Sequence, residues 1–228
     1  MKSVRVDVVV LTVRAGRLEA LLVRRPGSIW TLPGAPVGAD LPLERAALGA
    51  LAREAGARGI ALEQLYTFDR DAGAGVSVAF LALVAAERHP LAPGADVVEV
   101  RWFPVDDLPA LRHDQEEVLR YGHARLRAKT AYAPIAFQLL PEAFTLGELQ
   151  EVYEAVLGTP LDTRNFRRDV LAAGVVAPLG RSRAAGRGRP AALYRSCGGE
   201  FAVSARERRI SRAIAGDRAD GRGGADEA

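Results

Sequence analysis

Residues 30–57, WTLPGAPVGADLPLERAALGALAREAGA, constrain the fold more than any other stretch of the sequence. They start at Trp30, pass through a loop that contains Pro33 and Gly34, and continue into a segment with the apolar spacing of a helix that ends at Gly56. Two interpretations are open. The stretch is an ordinary amphipathic helix after a Pro-Gly loop, or it is a catalytic sequence motif in which most of the catalytic residues have been replaced.

This stretch resembles a Nudix box, in which a Gly-Gly pair and a spaced Glu lead to Arg-Glu and then to paired glutamates on a helix. Residues 30–34 match the start of the box, and residues 54–56 match its end. In this alignment other residue types replace the second Gly, the spaced Glu, the Arg-Glu pair and the first paired Glu: Ala35, Leu41, Gly49, Ala50 and Arg53. A second register, through Gly38 and Glu44, also lacks the paired carboxylates.

The missing acids bear directly on activity. Hydrolysis of a diphosphate requires a divalent metal held by several oxygen ligands, and a helix presents carboxylates on one face at spacings of three and four residues. Glu54 beside Arg53 does not supply such a set. The sequence therefore predicts no catalytic residue, no metal site and no cofactor, and hence a protein that is not an enzyme.

Composition places the chain among globular proteins with two modest domains, since 228 residues are enough to bury two cores. No apolar run approaches membrane-spanning length, and the apolar N-terminal run is interrupted by Arg5 and Asp7, as in a strand rather than a signal sequence. A single cysteine, Cys197, excludes an intrachain disulfide framework. We expect a cytoplasmic protein without a membrane partner.

The first half of the chain alternates between strand and turn patterns. Residues 4–13 and 18–23 predict a β-hairpin across a turn at residues 14–17. Further strands are predicted at residues 65–69, 76–85 and 98–105, followed by a helix at 114–129 with acids early and bases late. We place a domain at residues 1–130 and expect the histidines in it to be structural.

Positive charge is concentrated late in the chain. Residues 159–195 contain 8 Lys and Arg against 2 Asp and Glu, whereas residues 1–130 contain 17 against 16. A genome rich in GC explains why arginine replaces lysine, but it does not explain this clustering. The segment therefore indicates a polyanionic partner.

The same late segment has the pattern of two helices followed by two strands. Thr145 to Glu148 form a capping box before a helix that ends at Gly158, and Asp162 can cap a second helix at residues 163–172. In that helix three residues are expected to face inward, Phe166, Val170 and Leu171. Strands at residues 175–179 and 191–195 flank a basic loop at 180–190. This order is typical of a winged helix-turn-helix.

In such a module the second helix enters the major groove and the wing contacts phosphates or the minor groove. Base edges are expected to be read by Arg164, Asn165 and Arg168, and phosphates or the minor groove by Arg167, Arg187 and Arg189. The wing arginines lie in Gly-Arg-Gly-Arg-Pro, which resembles the minor-groove hook of architectural DNA binders. The predicted DNA-binding set also contains two residues at the helix starts, Thr145 and Thr163.

Taken together, residues 4–196 are similar to the Nudix-related transcriptional regulators of NAD metabolism. The resemblance implies an α+β protein in which a Nudix-like mixed β-sheet between helices precedes a winged helix-turn-helix at residues 131–204, with a flexible tail at 205–228. It also implies a homodimeric bacterial repressor that binds a palindromic operator in double-stranded DNA and senses ADP-ribose or a related metabolite.

The resemblance further implies an effector cleft formed by Arg24, Arg25, Trp30, Gly34, Glu54 and Phe68. The loop after Phe68 is shorter than is usual in the family, so ADP-ribose and a sugar both remain open as effectors. Two other functions are also open. One is an active Nudix hydrolase with a nucleic-acid-binding appendage, and the other is a structural protein that bridges DNA.

Overall fold

The computed structural model describes residues 3–70, 73, 75–130, 134–184 and 190–198. The chain forms two compact units that divide between His123 and Ala124. The division falls inside a helix, His113–Thr130. Within the described ranges, no helix combines the length and the apolar character needed to cross a membrane.

The first unit is built on one mixed sheet. Its elements are β1 (Ser3–Arg14), β2 (Arg17–Arg24), β3 (Trp30–Thr31), β4 (Gly34–Pro36), α1 (Leu43–Ala55), β5 (Glu63–Asp69), β6 (Gly75–Leu83), β7 (Glu99–Pro104) and the start of α2 (His113–Thr130). Seven strands are described, in the order β3-β2-β1-β6-β5, with β4 paired to β1 and β7 paired to β2. Only the β1 and β6 pair is parallel among them.

The predicted hairpin of β1 and β2 is confirmed. Arg14 pairs with Arg17, and the two residues between them, Ala15 and Gly16, have φ angles of 47° and 72°. Positive φ at both central residues is the geometry of a type I′ turn, whose twist matches that of the flanking strands. The hairpin fixes the register of β1, which lies at the centre of the sheet.

Helix α1 packs against the sheet through small residues. Its buried face consists of Ala46, Ala47, Ala50, Leu51 and Ala55, which join valines of β1 and β6 in one core cluster. Alanine side chains allow the helix axis to approach the sheet closely. The helix ends at Gly56, whose left-handed backbone (φ 69°) lets its N–H reach the carbonyl of Leu51. This end of the helix is where Glu54 lies.

The second unit contains α3 (Leu146–Leu157), α4 (Thr163–Ala172), β8 (Val176–Arg183) and β9 (Ala191–Ser196), preceded by a 3₁₀ segment at Pro134–Leu139. Both predicted helix starts are confirmed. The Thr145 hydroxyl accepts from the Glu148 amide at 3.1 Å, and the Glu148 carboxylate accepts from the Thr145 amide at 2.7 Å. Asp162 accepts from the Asn165 amide at 2.8 Å.

Two expectations for this unit are wrong. Leu171 does not face inward, since it is 50% exposed, because it follows Val170 by one residue and so lies about 100° around the helix from the stripe of Phe166 and Val170. The basic loop is also shorter than expected. Gly180, with φ 67°, accommodates a break in register, after which β8 pairs with β9 again as far as Arg183.

Candidate functional site

A pocket in the first unit lies where α1 ends beside β4. It encloses about 320 Å³. Its lining consists of Arg5, Arg25, Gly34, Ala35, Pro36, Arg53, Glu54, Ala95, Asp96 and Val97. The charged side chains in this set are three arginines against one glutamate and one aspartate, a formal balance of +1. A pocket of this charge favours an anion.

Glu54 connects three of the five segments that line the pocket. Its Oε2 accepts from the Gly34 amide at 3.0 Å, and its Oε1 pairs with the Arg25 guanidinium. Arg25 in turn donates to the Thr31 hydroxyl at 2.9 Å. The Glu54 carboxylate therefore accepts hydrogen bonds from within the protein.

Position 34 requires glycine because there is no space for a side chain. A Cβ atom at this position would lie 2.3 Å from the Val6 carbonyl oxygen and 2.5 Å from Asp7 Oδ1. Gly34 pairs with Asp7 in the antiparallel register of β1 and β4. The Pro-Gly loop of the box thus lies directly against the central strand, and any side chain at this position would push the pocket wall away from it.

Three charged residues of the pocket lining are absent from the predicted effector set: Arg5, Arg53 and Asp96. A signal for Arg5 is present in the sequence, because Arg5 and Asp7 alternate with buried valines in a run that otherwise reads as apolar. Asp7 is only 3% exposed, and Arg5 Nε donates to its Oδ1 at 2.9 Å. A charged pair inside a buried strand indicates a polar site on the adjoining face.

The structure does not unite the six predicted effector residues in one cleft. Arg25, Gly34 and Glu54 line the pocket. Arg24, the last residue of β2, instead pairs with Glu99, which lies opposite it on β7, at 2.8 Å. Its guanidinium lies 5.5 Å from the centre of the Trp30 ring.

The two aromatic residues of that set belong to separate clusters. The Trp30 ring packs edge-on against Phe103, with 4.7 Å between ring centres. Phe68 is buried and lies 5.4 Å from Tyr66 and 5.7 Å from Tyr121, again between ring centres. Neither Trp30 nor Phe68 lines the pocket, so the six residues predicted to form one cleft lie in three separate places.

The box positions that differ from the Nudix pattern have distinct environments. Leu41 is exposed, Ala50 is fully buried in the core beneath α1, and the Arg53 guanidinium lies near Gly49, 3.3 Å from where a Cβ would be. Within the part of the chain that the structure describes, no three His, Cys, Asp or Glu side chains lie close enough together to hold a metal ion. Charge in the pocket is therefore supplied mainly by arginine.

Helix α4 presents a basic face in the second unit. Arg164, Asn165, Arg167 and Arg168 are exposed, while Phe166 and Val170 are buried. Two exposed donors of the type that read base edges, Arg164 and Asn165, stand in the first turn of the helix. Arg168 donates through Nε and Nη2 to the neighbouring Asp169 carboxylate.

The two predicted threonine contacts have roles inside the protein. Thr145 caps α3, and the Thr163 hydroxyl accepts from Gln150 Nε2 at 3.1 Å. Gln150 also donates to the Leu161 carbonyl, so it joins α3 to the start of α4. Both threonines hold helix N-termini in place, and whether they also contact DNA stays a prediction.

The predicted wing arginines, Arg187 and Arg189, lie outside the described residues. Strand β8 contributes two further exposed arginines, Arg181 and Arg183, at positions where the sequence pattern predicts the loop. Arg183 donates to the Glu148 carboxylate and to the Ala143 carbonyl. The signal for them is the basic excess of the whole segment, which gives no indication of which arginine is held by the protein.

Both units match known families. Residues 1–122 match the NUDIX domain, and residues 136–196 match the NrtR DNA-binding winged helix domain. The chain is 33% identical over 202 residues to the ADPR responsive transcriptional repressor NtrR of Acinetobacter baylyi. The aligned region covers 83% of this chain and 80% of that protein.

Solved structures give the same result. NrtR of Shewanella oneidensis, crystallised with a 27mer DNA, superposes with a TM-score of 0.72 at 32% identity over 85% of this chain and 93% of that one. A MutT/nudix family protein from Enterococcus faecalis superposes with a TM-score of 0.69 at 26% identity over 86% of each chain. These similarities confirm the predicted mixed α/β sheet domain followed by a winged helix.

Proposed function

The chain belongs to the NrtR family, in which a NUDIX domain precedes a winged-helix DNA-binding domain, and from this we propose that it is a transcriptional repressor that binds operator DNA and responds to ADP-ribose. The observation that carries the proposal is the arginine-lined pocket at the Nudix-like helix, in a chain that also has an exposed basic α4. By analogy with the family, the regulated genes belong to NAD metabolism.

The diphosphate of ADP-ribose fits the chemistry of the pocket. Guanidinium groups bind phosphate oxygens through two parallel N–H donors, and Arg5, Arg25 and Arg53 all reach the lining. Arg25 is already paired with Glu54, so a diphosphate would compete for that guanidinium. The pocket therefore binds anions through exchange of partners as well as through its net charge.

DNA binding is assigned to α4 and the strands that follow it. Arginine recognises guanine and asparagine recognises adenine through paired hydrogen bonds in the major groove, and these are the residue types at Arg164 and Asn165. A single winged helix covers too little DNA for operator selectivity. We therefore propose a homodimer on a palindromic operator whose half-sites lie about one or two helical turns apart.

We also propose that the pocket binds its ligand without hydrolysing it. Three box positions that carry acids in Nudix enzymes are Leu41, Ala50 and Arg53 here, and Glu54 is engaged by Arg25 and the Gly34 amide. An enzyme of this class needs several oxygen ligands for its metal. The alternative function, a hydrolase with a DNA-binding appendage, has to supply them from elsewhere.

The proposed function is tested with a duplex selected from random-sequence DNA by the full-length protein. Fluorescence anisotropy gives the affinity for that duplex with and without ADP-ribose, and ribose 5-phosphate serves as a ligand without the diphosphate. We expect ADP-ribose to bind the free protein and to weaken DNA binding, with little effect of ribose 5-phosphate. A protein that selects no duplex is not a repressor, and a duplex affinity that ADP-ribose leaves unchanged removes the sensor role.

A further inference from the structure

The buried carboxylate of Asp7 is the centre of a polar cluster behind the pocket wall. Asp7 lies between Val6 and Val8, which are both fully buried. Its Oδ2 accepts from the Ser77 hydroxyl at 2.5 Å, and its Oδ1 accepts from Arg5 Nε at 2.9 Å and from Gln115 Nε2 at 3.2 Å. A buried carboxylate is costly unless such donors surround it, so the positions of the donors are coupled through it.

The donors come from separate parts of the first unit. Ser77 belongs to β6, Arg5 to the same strand as Asp7, and Gln115 to the first turn of α2. Gln115 is itself held at both ends, because its Oε1 accepts from the Leu32 amide at 3.2 Å. One buried glutamine thus connects the start of α2 both to the central strand and to the loop that leads into Gly34.

The pocket wall has no spare room against this cluster. The position of a Cβ on Gly34 lies 2.5 Å from Asp7 Oδ1 and 2.9 Å from Arg5 Nη2. Close-packed groups of this kind do not deform gradually, and a displacement of one displaces its neighbours. Movement of the Gly34 wall or of the Arg5 guanidinium is therefore transmitted to Asp7.

Arg5 is the member of the cluster that reaches the pocket. Its Nε is used by Asp7, while its guanidinium lines the cavity. A diphosphate in the cavity attracts this guanidinium and changes the geometry of the Arg5 and Asp7 contact. The other donor to the same Asp7 oxygen is Gln115, so its hydrogen bonds change as well.

We propose that Asp7 and Gln115 are positioning residues that relay occupation of the pocket to α2. The proposal rests on the proposed function, since it takes the pocket as the effector site. Helix α2 continues from Gln115 to Thr130, past the point where the two units divide between His123 and Ala124. A relay that ends on this helix gives the effector a physical path toward the DNA-binding half of the chain.

The relay is tested by Gln115→Met in the full-length protein, which keeps the side-chain volume and removes both hydrogen bonds. The matched control is Glu116→Gln, which alters an exposed neighbour on the same helix that pairs only weakly with Arg120, at 3.6 Å. Calorimetry gives the affinity of each free protein for ADP-ribose. Anisotropy with the selected duplex gives the factor by which ADP-ribose changes DNA affinity, which is typically about 5- to 150-fold in coupled systems.

We expect the affinity of Gln115→Met for ADP-ribose to be within about threefold of the wild-type value, while the factor by which ADP-ribose changes its DNA affinity falls toward one. Glu116→Gln should retain the wild-type factor. A Gln115→Met protein that keeps the full change overturns the relay, and so does one that loses ADP-ribose binding, since Gln115 would then only shape the pocket. If Gln115→Met gives no cooperative melting transition, Gln115→Asn is measured with the same criteria. If ADP-ribose does not change the DNA affinity of the wild-type protein, the proposed function itself is contradicted.

Discussion

Arg183 on β8 is held by Glu148 on α3, with 2.5 Å between Nη1 and Oε1. Its Nη2 donates to the Ala143 carbonyl at 2.9 Å. The other oxygen of Glu148 closes the capping box by accepting from the Thr145 amide. One carboxylate therefore caps a helix and anchors the first wing strand, so the position of the wing follows from the start of α3.

The two exposed arginines of β8 are expected to affect DNA binding differently. Arg181 has no ion-pair partner among the residues that the structure describes, so its charge is available to a phosphate. We expect Arg181→Ala to reduce the slope of log affinity against log salt by about 0.9 for each phosphate that the protein no longer neutralises. Arg183→Ala should weaken binding by displacing the wing while it leaves that slope close to the wild-type value.

Glu148→Gln provides a check on this assignment. Glutamine can still accept from the Thr145 amide, but it weakens the pairing with Arg183, so this variant should resemble Arg183→Ala in a titration of the selected duplex at several salt concentrations. Equal reductions of the salt slope in Arg181→Ala and Arg183→Ala would show that both arginines contact phosphate. The ion pair between Arg183 and Glu148 would then have to break when the protein binds DNA.

Helix α4 is expected to carry sequence recognition through its first turn. Arg164→Ala or Asn165→Ala should each cost about 1 to 3 kcal/mol on the preferred duplex and relax the preference at one base pair in each half-site. Arg58→Ala, an exposed arginine of the first unit, serves as the control. Selection from random-sequence DNA gives the preference of each variant. An unchanged preference in an Arg164→Ala, Arg168→Ala double variant would place recognition on another element.

Local signals in the sequence predict the second unit well. Thr145, Glu148 and Asp162 are side chains whose capping geometry depends on residues three positions away, so the sequence alone contains the necessary information. The same holds for the hairpin turn at Ala15 and Gly16. Such contacts are short-range, and tertiary packing changes them little.

The pocket is predicted less completely because its residues meet through long-range pairing. Arg5 reaches the cavity because β1 pairs with β4, and Asp96 because its loop lies beside the end of α1. Arg24 and Arg25 cannot be separated by sequence, since the residue at which β2 ends and the strand that pairs with it decide which of the two arginines faces the pocket. The resemblance to the Nudix box locates Gly34 and Glu54, which do not depend on that choice.

Gly34 is expected to be intolerant of a side chain. Gly34→Ala places a Cβ within 2.3 Å of a backbone oxygen on the central strand, so β4 has to move, at a cost of about 1 to 3 kcal/mol or more in the free energy of unfolding. Gly38→Ala is the matched control, since nothing lies within 4 Å of its Cβ position. Urea unfolding should show a loss for the first variant and little change for the second. Equal stability of the two would mean that the loop is not held against β1.

The protein is expected to lack enzymatic turnover of ADP-ribose. Purified protein with magnesium or manganese should release no AMP above the uncatalysed background, because the box retains only Glu54 of its acids. Chromatography of the nucleotide products measures this directly. Turnover of about one per second or faster would establish the hydrolase alternative. Loss of that turnover in Glu54→Gln would then assign the reaction to this pocket rather than to a contaminating enzyme.

Glu54→Gln is expected to strengthen binding of ADP-ribose. An amide oxygen can still accept from the Gly34 amide, but the ion pair with Arg25 is lost, and the formal charge of the pocket lining rises from +1 to +2. Arg25 then no longer has to leave a carboxylate in order to bind a phosphate. The gain should be several-fold, about 1 kcal/mol, since the partly buried pair is only partly screened by solvent.

The matched control is Glu99→Gln, which removes the carboxylate partner of Arg24, outside the pocket lining. Calorimetric titration with ADP-ribose in the presence of EDTA should give a higher affinity for Glu54→Gln and an unchanged affinity for Glu99→Gln. A lower affinity for Glu54→Gln would mean that the carboxylate itself accepts a hydrogen bond from the ligand, as from a ribose hydroxyl. If binding is seen only when magnesium replaces EDTA, and is lost in Glu54→Gln, Glu54 would be a metal ligand and the arginines would not be the main binding groups.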